Sequence, residues 1–108
     1  FPDTDAPKAS ILMASTYVIT PLAESDLEAI WLYAARKWSR GQAETYTNNI
    51  LDACDDLANG KMASRPVPIR DGYFKASVGR HFIYFRRGAE TLLVVRILHQ
   101  RMDVELHL

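Results

Sequence analysis

The sequence lacks most of what would mark a secreted, membrane-bound or cofactor-dependent protein. Cys54 is its only cysteine. No internal disulfide can form, and a zinc site has no companion thiolates. That usage fits a reducing, cytoplasmic home. No apolar run approaches the ~18 residues that a membrane-spanning helix needs. Ile11-Leu12-Met13 is far shorter than the about 7–15 residues of a signal-peptide core. The expectation is a chain neither secreted by that route nor anchored, with no membrane partner. A glycine-rich phosphate loop, an HExxH pair and a GxSxG elbow are all missing, which removes the simplest frameworks for nucleotide, zinc and serine chemistry. No cofactor and no metal are expected. Repeats and low-complexity segments are also absent.

Net charge is missing too, but it hides an asymmetry. The 13 basic and 13 acidic residues cancel. Residues 1–60 hold four bases against nine acids, and residues 61–108 hold nine bases against four acids. An acidic front half joined to a basic back half suggests a basic face for an acidic partner. A neutral domain with two weakly attracting faces is the plainer alternative.

What is present fits one domain. A chain of 108 residues buries roughly two-thirds of the surface its unfolded form exposes, enough for a single core. Residues 1–15 hold two prolines and no periodicity, so they read as a flexible leader, with residues 16–108 as the domain. Thr16-Tyr17-Val18-Ile19-Thr20 reads as a short strand. Thr20 can cap a helix that Pro21 opens, and Glu24, Asp26 and Glu28 suit its dipole. Ala23, Leu27, Ile30, Trp31, Ala34 and Trp38 form the inward stripe. Ser39-Arg40-Gly41 breaks the helix. A second helix runs from about Gln42 to Asn59, with Ala43, Tyr46, Ile50, Ala53 and Leu57 inward and Asn59-Gly60 at its end. So short a turn predicts an antiparallel helical hairpin. Cys54 beside the stripe reads as a buried structural thiol. Adjacent Asp residues on a helix point in different directions, and Asp52, Asp55 and Asp56 read as a solvated face.

Lys61 to Gly72 reads as a loop and Tyr73 to Ala76 as a strand, with a turn at Ser77-Val78-Gly79. Arg80 to Arg86 and Thr91 to His99 then form a β-hairpin around Gly88. Both runs are apolar at odd and even positions, so both faces should be covered by the chain or by a partner. The fold class is α+β in the order β-α-α-β-β-β: a mostly antiparallel sheet with an N-terminal helical hairpin packed on one face.

The second strand closes with Arg96, His99, Arg101 and Asp103. One reading is a strand end with solvated charges, Arg101 and Asp103 loosely paired. The other is a basic site at the lip of the sheet, aimed at an anionic target.

The ordered set Ala23, Asp26-Leu27, Ile30, Tyr33, Gln42-Ala43, Tyr46, Leu57, Gly72, His81, Tyr84 and Arg96-Ile97-Leu98-His99 resembles ParE-type toxins of the ParE/RelE superfamily of bacterial toxin–antitoxin systems. The resemblance runs from Tyr17 to Asp103 and implies the same β-α-α-β-β-β layout. It also implies a toxin that arrests growth by binding and inhibiting DNA gyrase or another target of replication or translation. Arg86, Arg96, His99 and Arg101 are then the target-binding candidates. RelE-type relatives instead cut mRNA in the ribosome. They use a cluster of bases for the phosphates and a residue, commonly a Tyr or His near the C-terminus, to move a proton. Here the chain ends Val104-Glu105-Leu106-His107-Leu108, without a terminal Tyr. His99 and His107 could shuttle protons, but the constellation is incomplete. The expectation is therefore inhibition by binding, with no catalytic residue assigned and no sequence-specific nucleic-acid binding. A degenerate, non-toxic interaction module is a third possibility.

The resemblance further implies a cognate antitoxin, disordered when free, in a hetero-oligomer. A sheet apolar on both faces with one helical hairpin should leave apolar surface for it. Trp31, Trp38, Phe82 and Tyr84 are the antitoxin-binding candidates.

Overall fold

The structure is a computed structural model that describes residues 16–108; the expected leader lies outside the described residues. Strand β1, Thr16–Ile19, leads through Thr20 into helix α1, Pro21–Lys37. Thr20 serves both elements. Its hydroxyl accepts from the Ala23 amide at 3.1 Å, capping the helix, and donates to the Val95 carbonyl at 2.9 Å. Glu24 in the first turn and Arg36 and Lys37 in the last complement the helix dipole.

Helix α2, Arg40–Ala58, begins after a break of only two residues. Ser39 is its cap, accepting from the Gln42 amide at 3.1 Å. Arg40 and Gly41 therefore lie in the first turn rather than in the break. Helix α2 ends in a Schellman motif, the Lys61 amide donating to the Asp56 carbonyl at 2.8 Å and the Gly60 amide to that of Leu57 at 3.3 Å. Gly60 makes the turn at φ 73°, a backbone region that costs other residues strain.

Strands β2 (Arg65–Pro66), β3 (Phe74–Val78), β4 (His81–Arg87) and β5 (Thr91–His99) follow, then a short helix α3 (Val104–His107). The five strands form one sheet in the order β1-β5-β4-β3-β2. Strand β1 runs parallel to β5 and every other pair is antiparallel. The expected α+β layout is present, with the helical hairpin on one face of the sheet. Three details differ. Strand β2 lies within the expected loop, β3 starts one residue later and runs to Val78, and α3 was not foreseen.

A bulge decides how β5 presents its side chains. Tyr84 pairs with Arg96 but Phe85 pairs with Val94, leaving Val95 without an opposite residue. The extra residue shifts the alternation. Leu92, Val94 and Ile97 all reach the helix-facing core, while Val95 and Leu98 pack on the outer side. That core is built on Phe85, Ile50, Leu57 and Ile83, all fully buried. Each of these large side chains is worth about 1.5–3 kcal/mol by burial. Cys54 is buried among them, and burial, with Asp55 adding to it, pushes its thiol up to about 12, so it stays protonated. Asp52, Asp55 and Asp56 are exposed.

One position of the expected α1 stripe needs correction. Ala23 and Ala34 are buried and Trp31 is half-buried, but Trp38 is 58% exposed. The helix stops at Lys37, and Trp38 leaves it with φ −120° and ψ −82°, so helical spacing no longer aims its ring inward. Among the described residues no helix is long and apolar enough to cross a membrane.

Candidate functional site

Strand β1 pairs with β5 only as far as Val94. Beyond that point the backbone of β5 would face water with unpaired amides and carbonyls. Two α1-side residues close the gap. Thr20 takes the Val95 carbonyl, and the Asp26 carboxylate accepts from the Ile97 amide at 3.0 Å. The same carboxylate holds Arg96 in a bidentate pair, Nε and one terminal nitrogen each 2.8 Å from its oxygens. The other terminal nitrogen of Arg96 donates to the His107 carbonyl at 3.1 Å. Arg96 therefore ties strand β5, helix α1 and helix α3 together. Its side chain and that of Asp26 are 16% and 14% exposed. The hydrogen bond to Asp26 is the main force raising the pKa of the guanidinium, burial opposing it. The structure uses Arg96 as a cross-link within the chain rather than leaving it free at the rim.

His99 lies on the helix side. Its Nδ1 accepts from the Arg101 amide at 3.1 Å, so the neutral ring carries its proton on Nε2. The ring stands edge-on to His81 at 5.3 Å between centroids. Nδ1 of His81 lies 2.7 Å from the Tyr46 hydroxyl, which also accepts from the Arg80 amide at 3.1 Å. Burial first, then His99, pushes His81 down to about 4, with Asp26 acting the other way. At neutral pH this cluster is uncharged at His81. The Arg101 and Arg86 side chains are exposed. The four target-binding candidates are thus not gathered into one site. Arg96 closes the sheet edge, His99 faces the helices, Arg101 sits in the turn after β5, and Arg86 stands on the outer face. Asp103 does not pair with Arg101. It caps α3 by accepting from the Glu105 amide at 3.0 Å.

The outer face holds a group of cations that sequence reading did not single out. Lys75 lies 4.6 Å and Arg65 5.8 Å from the Phe82 ring. Arg70 lies 4.6 Å and Arg86 5.3 Å from the Tyr73 ring. Cations over aromatic faces at these distances are held in place while their charge stays available. Among the described residues none of the four is paired with an Asp or Glu side chain. Arg70 also donates to the Leu108 carbonyl. The available signal was the excess of bases after residue 60, but only strand register shows which of them share a face.

The expected open apolar face of the sheet is largely closed by the chain itself. Val67, Tyr84 and Leu98 form a second buried cluster, with Val104 and Leu108 packed against it. Tyr84 is 4% exposed, and burial raises its phenol pKa, Arg65 opposing. As a partner contact Tyr84 is therefore enclosed, and Phe82 lies half-buried beneath its two cations. Exposed apolar side chains remain at Val18, Ile69, Met102 and Leu106, and on the helical hairpin at Leu22, Leu32, Tyr33 and Trp38. Trp31 and Leu32 line a shallow hollow of about 640 Å³ there, with Glu24 and Glu28. A larger groove of about 770 Å³ opens between the hairpin and the turn joining β3 to β4. Tyr33, Lys37, Trp38, Tyr46, Arg80 and His99 are among its walls.

This arrangement can bind anions on one face and apolar groups on the other. The His81 and His99 imidazoles lie on the opposite side of the sheet from the stacked cations, whereas His107 belongs to α3 on the outer side.

The family described as "ParE toxin of type II toxin-antitoxin system, parDE" matches residues 17–104. The chain is 41% identical over 98 residues to Toxin ParE1 of Mycobacterium tuberculosis, covering 89% of this chain and 100% of that protein. It is 29% identical over 93 residues to Toxin ParE1 of Caulobacter vibrioides, covering 85% and 96%. The fold is similar to a chain in a solved structure of the chromosomal ParDE system from P. aeruginosa, with a TM-score of 0.69 at 21% identity, covering 81% of this chain and 96% of that one.

Proposed function

The chain belongs to the ParE toxin family of type II toxin–antitoxin systems, and from that membership we propose that it arrests growth by binding and inhibiting DNA gyrase until an antitoxin occupies it. The observation that carries the target-binding half is the outer face: Arg65, Arg70, Lys75 and Arg86 stacked on Phe82 and Tyr73 with no Asp or Glu partner among the described residues. A fixed row of uncompensated cations steers an acidic partner and selects against others. Arg101 stands exposed in the turn after β5, apart from this basic face. Arg96 supports that face from behind by pinning α3.

The action we propose is binding rather than cutting. A cutter of RNA needs a proton carrier beside the cations that hold the phosphate. His81 and His99 lie across the sheet from the stacked cations and share their groove with only two cations, Lys37 and Arg80. The chain works in the cytoplasm, where both gyrase and a freshly made antitoxin are found.

Purified gyrase supercoiling a relaxed plasmid tests the target directly. The chain should abolish supercoiling, and addition of the antitoxin should restore it. Supercoiling unaffected across a wide titration contradicts gyrase as the target. Primer extension on translated messages in arrested cells should show no new 5′ ends in the ribosomal A site. Their appearance would transfer the chain to the RelE-type reading.

A further inference from the structure

The cations of the outer face share one side of the sheet. Arg65 stands opposite Lys75, and Lys75 opposite Tyr84. Phe82 and Arg86 lie two residues before and after Tyr84 on β4, so strand alternation puts all of these on the same side. Tyr84 belongs to the outer buried cluster, which makes that side the one away from the helices. None of the five strands contains an Asp or a Glu. The acids of the back half stand off the strands: Asp71 between β2 and β3, Glu90 between β4 and β5, and Asp103 and Glu105 at the start of α3. Arg70 gives a donor to the Leu108 carbonyl. Among the described residues the Arg65, Lys75 and Arg86 side chains have no hydrogen bond or ion pair, only the rings they lie on.

An acidic partner for this face is a protein surface, a single strand or a duplex. Protein interfaces are centred on aromatic or aliphatic anchors. The strands offer none here: no residue of β2, β3 or β4 is an exposed large hydrophobic, and Ile69, Met102 and Leu106 are exposed only in loops and α3. Single strands are held by bases stacked on open aromatic rings. Here the rings are already in use. Lys75 and Arg65 lie 4.6 Å and 5.8 Å from Phe82, and Arg70 and Arg86 lie 4.6 Å and 5.3 Å from Tyr73. What remains is fixed positive charge and one hydroxyl, Ser77, exposed opposite Phe82. Cations and hydroxyls are the groups that contact the phosphates of a duplex.

We propose that the outer face binds the phosphate backbone of duplex DNA through Arg65, Lys75 and Arg86, with Arg70 at the margin, and reads no base. The setting rests on the gyrase reading: the duplex is the segment that gyrase holds, and the toxin touches enzyme and DNA together. Stacking already orders the long cationic side chains, so little more is lost on contact. Three contacts supply a weak, sequence-independent hold, and the protein target supplies the rest of the affinity.

The test follows a labelled short DNA duplex by fluorescence anisotropy as salt is raised, with the full chain and no gyrase. Log K should fall against log salt with a slope of about −3, close to one for each phosphate contact. Lys75→Ala and Arg86→Ala should each reduce that slope by about 1 and weaken binding equally on unrelated sequences. Arg36→Ala removes the same charge from the exposed side of α1 and should leave the slope unchanged. Each variant is melted alongside, and Arg86→Ala carries the test if Lys75→Ala does not fold. A slope that no outer-face variant moves overturns the proposal. Tighter binding to the single strand, or to an RNA duplex of the same sequence, overturns it as well. No duplex binding even at low salt, with supercoiling still abolished, would give the face to acidic side chains of gyrase and leave the gyrase reading standing. Duplex binding with the expected slopes but supercoiling untouched would keep the DNA site and remove gyrase.

Discussion

The two faces of the sheet are made by alternate residues of the same strands, yet they are finished differently. The helix side is covered by α1 and α2, 17 and 19 residues long, over a continuous apolar core. The outer side is covered by a two-residue strand, a loop and the four-residue α3. Its remaining width is taken by cations lying on Phe82 and Tyr73. On the helix side, Asp26 meets Arg96 and His81 loses its proton, while Arg87 donates to the Leu57 carbonyl. On the outer side the stacked cations have no Asp or Glu partner among the described residues. The contrast separates what the chain needs to fold from what it can offer a partner.

The largest effect should come from the closed side. Phe85→Ala should cost about 3–5 kcal/mol, as truncation of a fully enclosed aromatic does, and thermal unfolding should show it. A loss near zero would mean that the core can collapse around the gap and that the two faces are less different than described.

Much of that closed side was legible in the sequence. Ala43, Ile50, Ala53 and Leu57 recur at helical spacing, and the hairpin strands are dense in β-branched and aromatic residues. What was not legible depended on distance or on register. Asp26 looked like a dipole charge in the first turns of α1, but it serves Arg96 and Ile97, 70 and 71 residues away. Trp38 fell on the stripe only because the spacing was continued past the end of the helix. The bulge at Val95 cannot be read from alternation when both faces are apolar. Helix α3 is too short for periodicity, though Asp103 before Val104 was a capping signal. The cation–aromatic stacks required knowing which residues β2, β3 and β4 place side by side.

A second, smaller effect should come from the one ion pair that joins the sheet edge to α1. Asp26→Ala leaves the Arg96 guanidinium and the Ile97 amide without their acceptor. Breaking a buried pair on one side costs 3–5 kcal/mol, and this pair is partly exposed, so about 2–4 kcal/mol is expected. The double variant Asp26→Ala with Arg96→Met should cost less than the sum of the single changes. Strict additivity in denaturant melts would remove the cross-link from the account. Arg96→Ala should lower the melting temperature as well as toxicity, whereas an unchanged melting temperature with relieved arrest would place Arg96 in target contact.

The pH dependence should be smaller again. The unfolded chain protonates His81 near pH 6.5, the folded chain only near 4. Between those values the unfolded state holds the extra proton. Stability therefore falls as pH drops from 6.5 to 4 and falls no further from this cause below it. For a half-exposed ring, solvent screening limits the effect to about 1 kcal/mol, or about 4–8 °C in melting temperature. His81→Gln should remove this part of the slope in melting curves taken across that range. An identical slope in the variant would assign it to other groups.

The smallest stability effect belongs to the outer face. Lys75→Ala should change stability by no more than about 0.5 kcal/mol, as an exposed substitution usually does, because among the described residues its charge has no carboxylate partner to lose. A larger loss would show that the stacked cations hold the fold together.

Growth of cells expressing the chain with Arg65, Lys75 and Arg86 all changed to Glu, set beside a melting curve of the same purified protein, tests the separation of the two faces most directly. The account predicts a folded protein melting within a few degrees of the original that no longer arrests growth. Full arrest by that folded variant would contradict it.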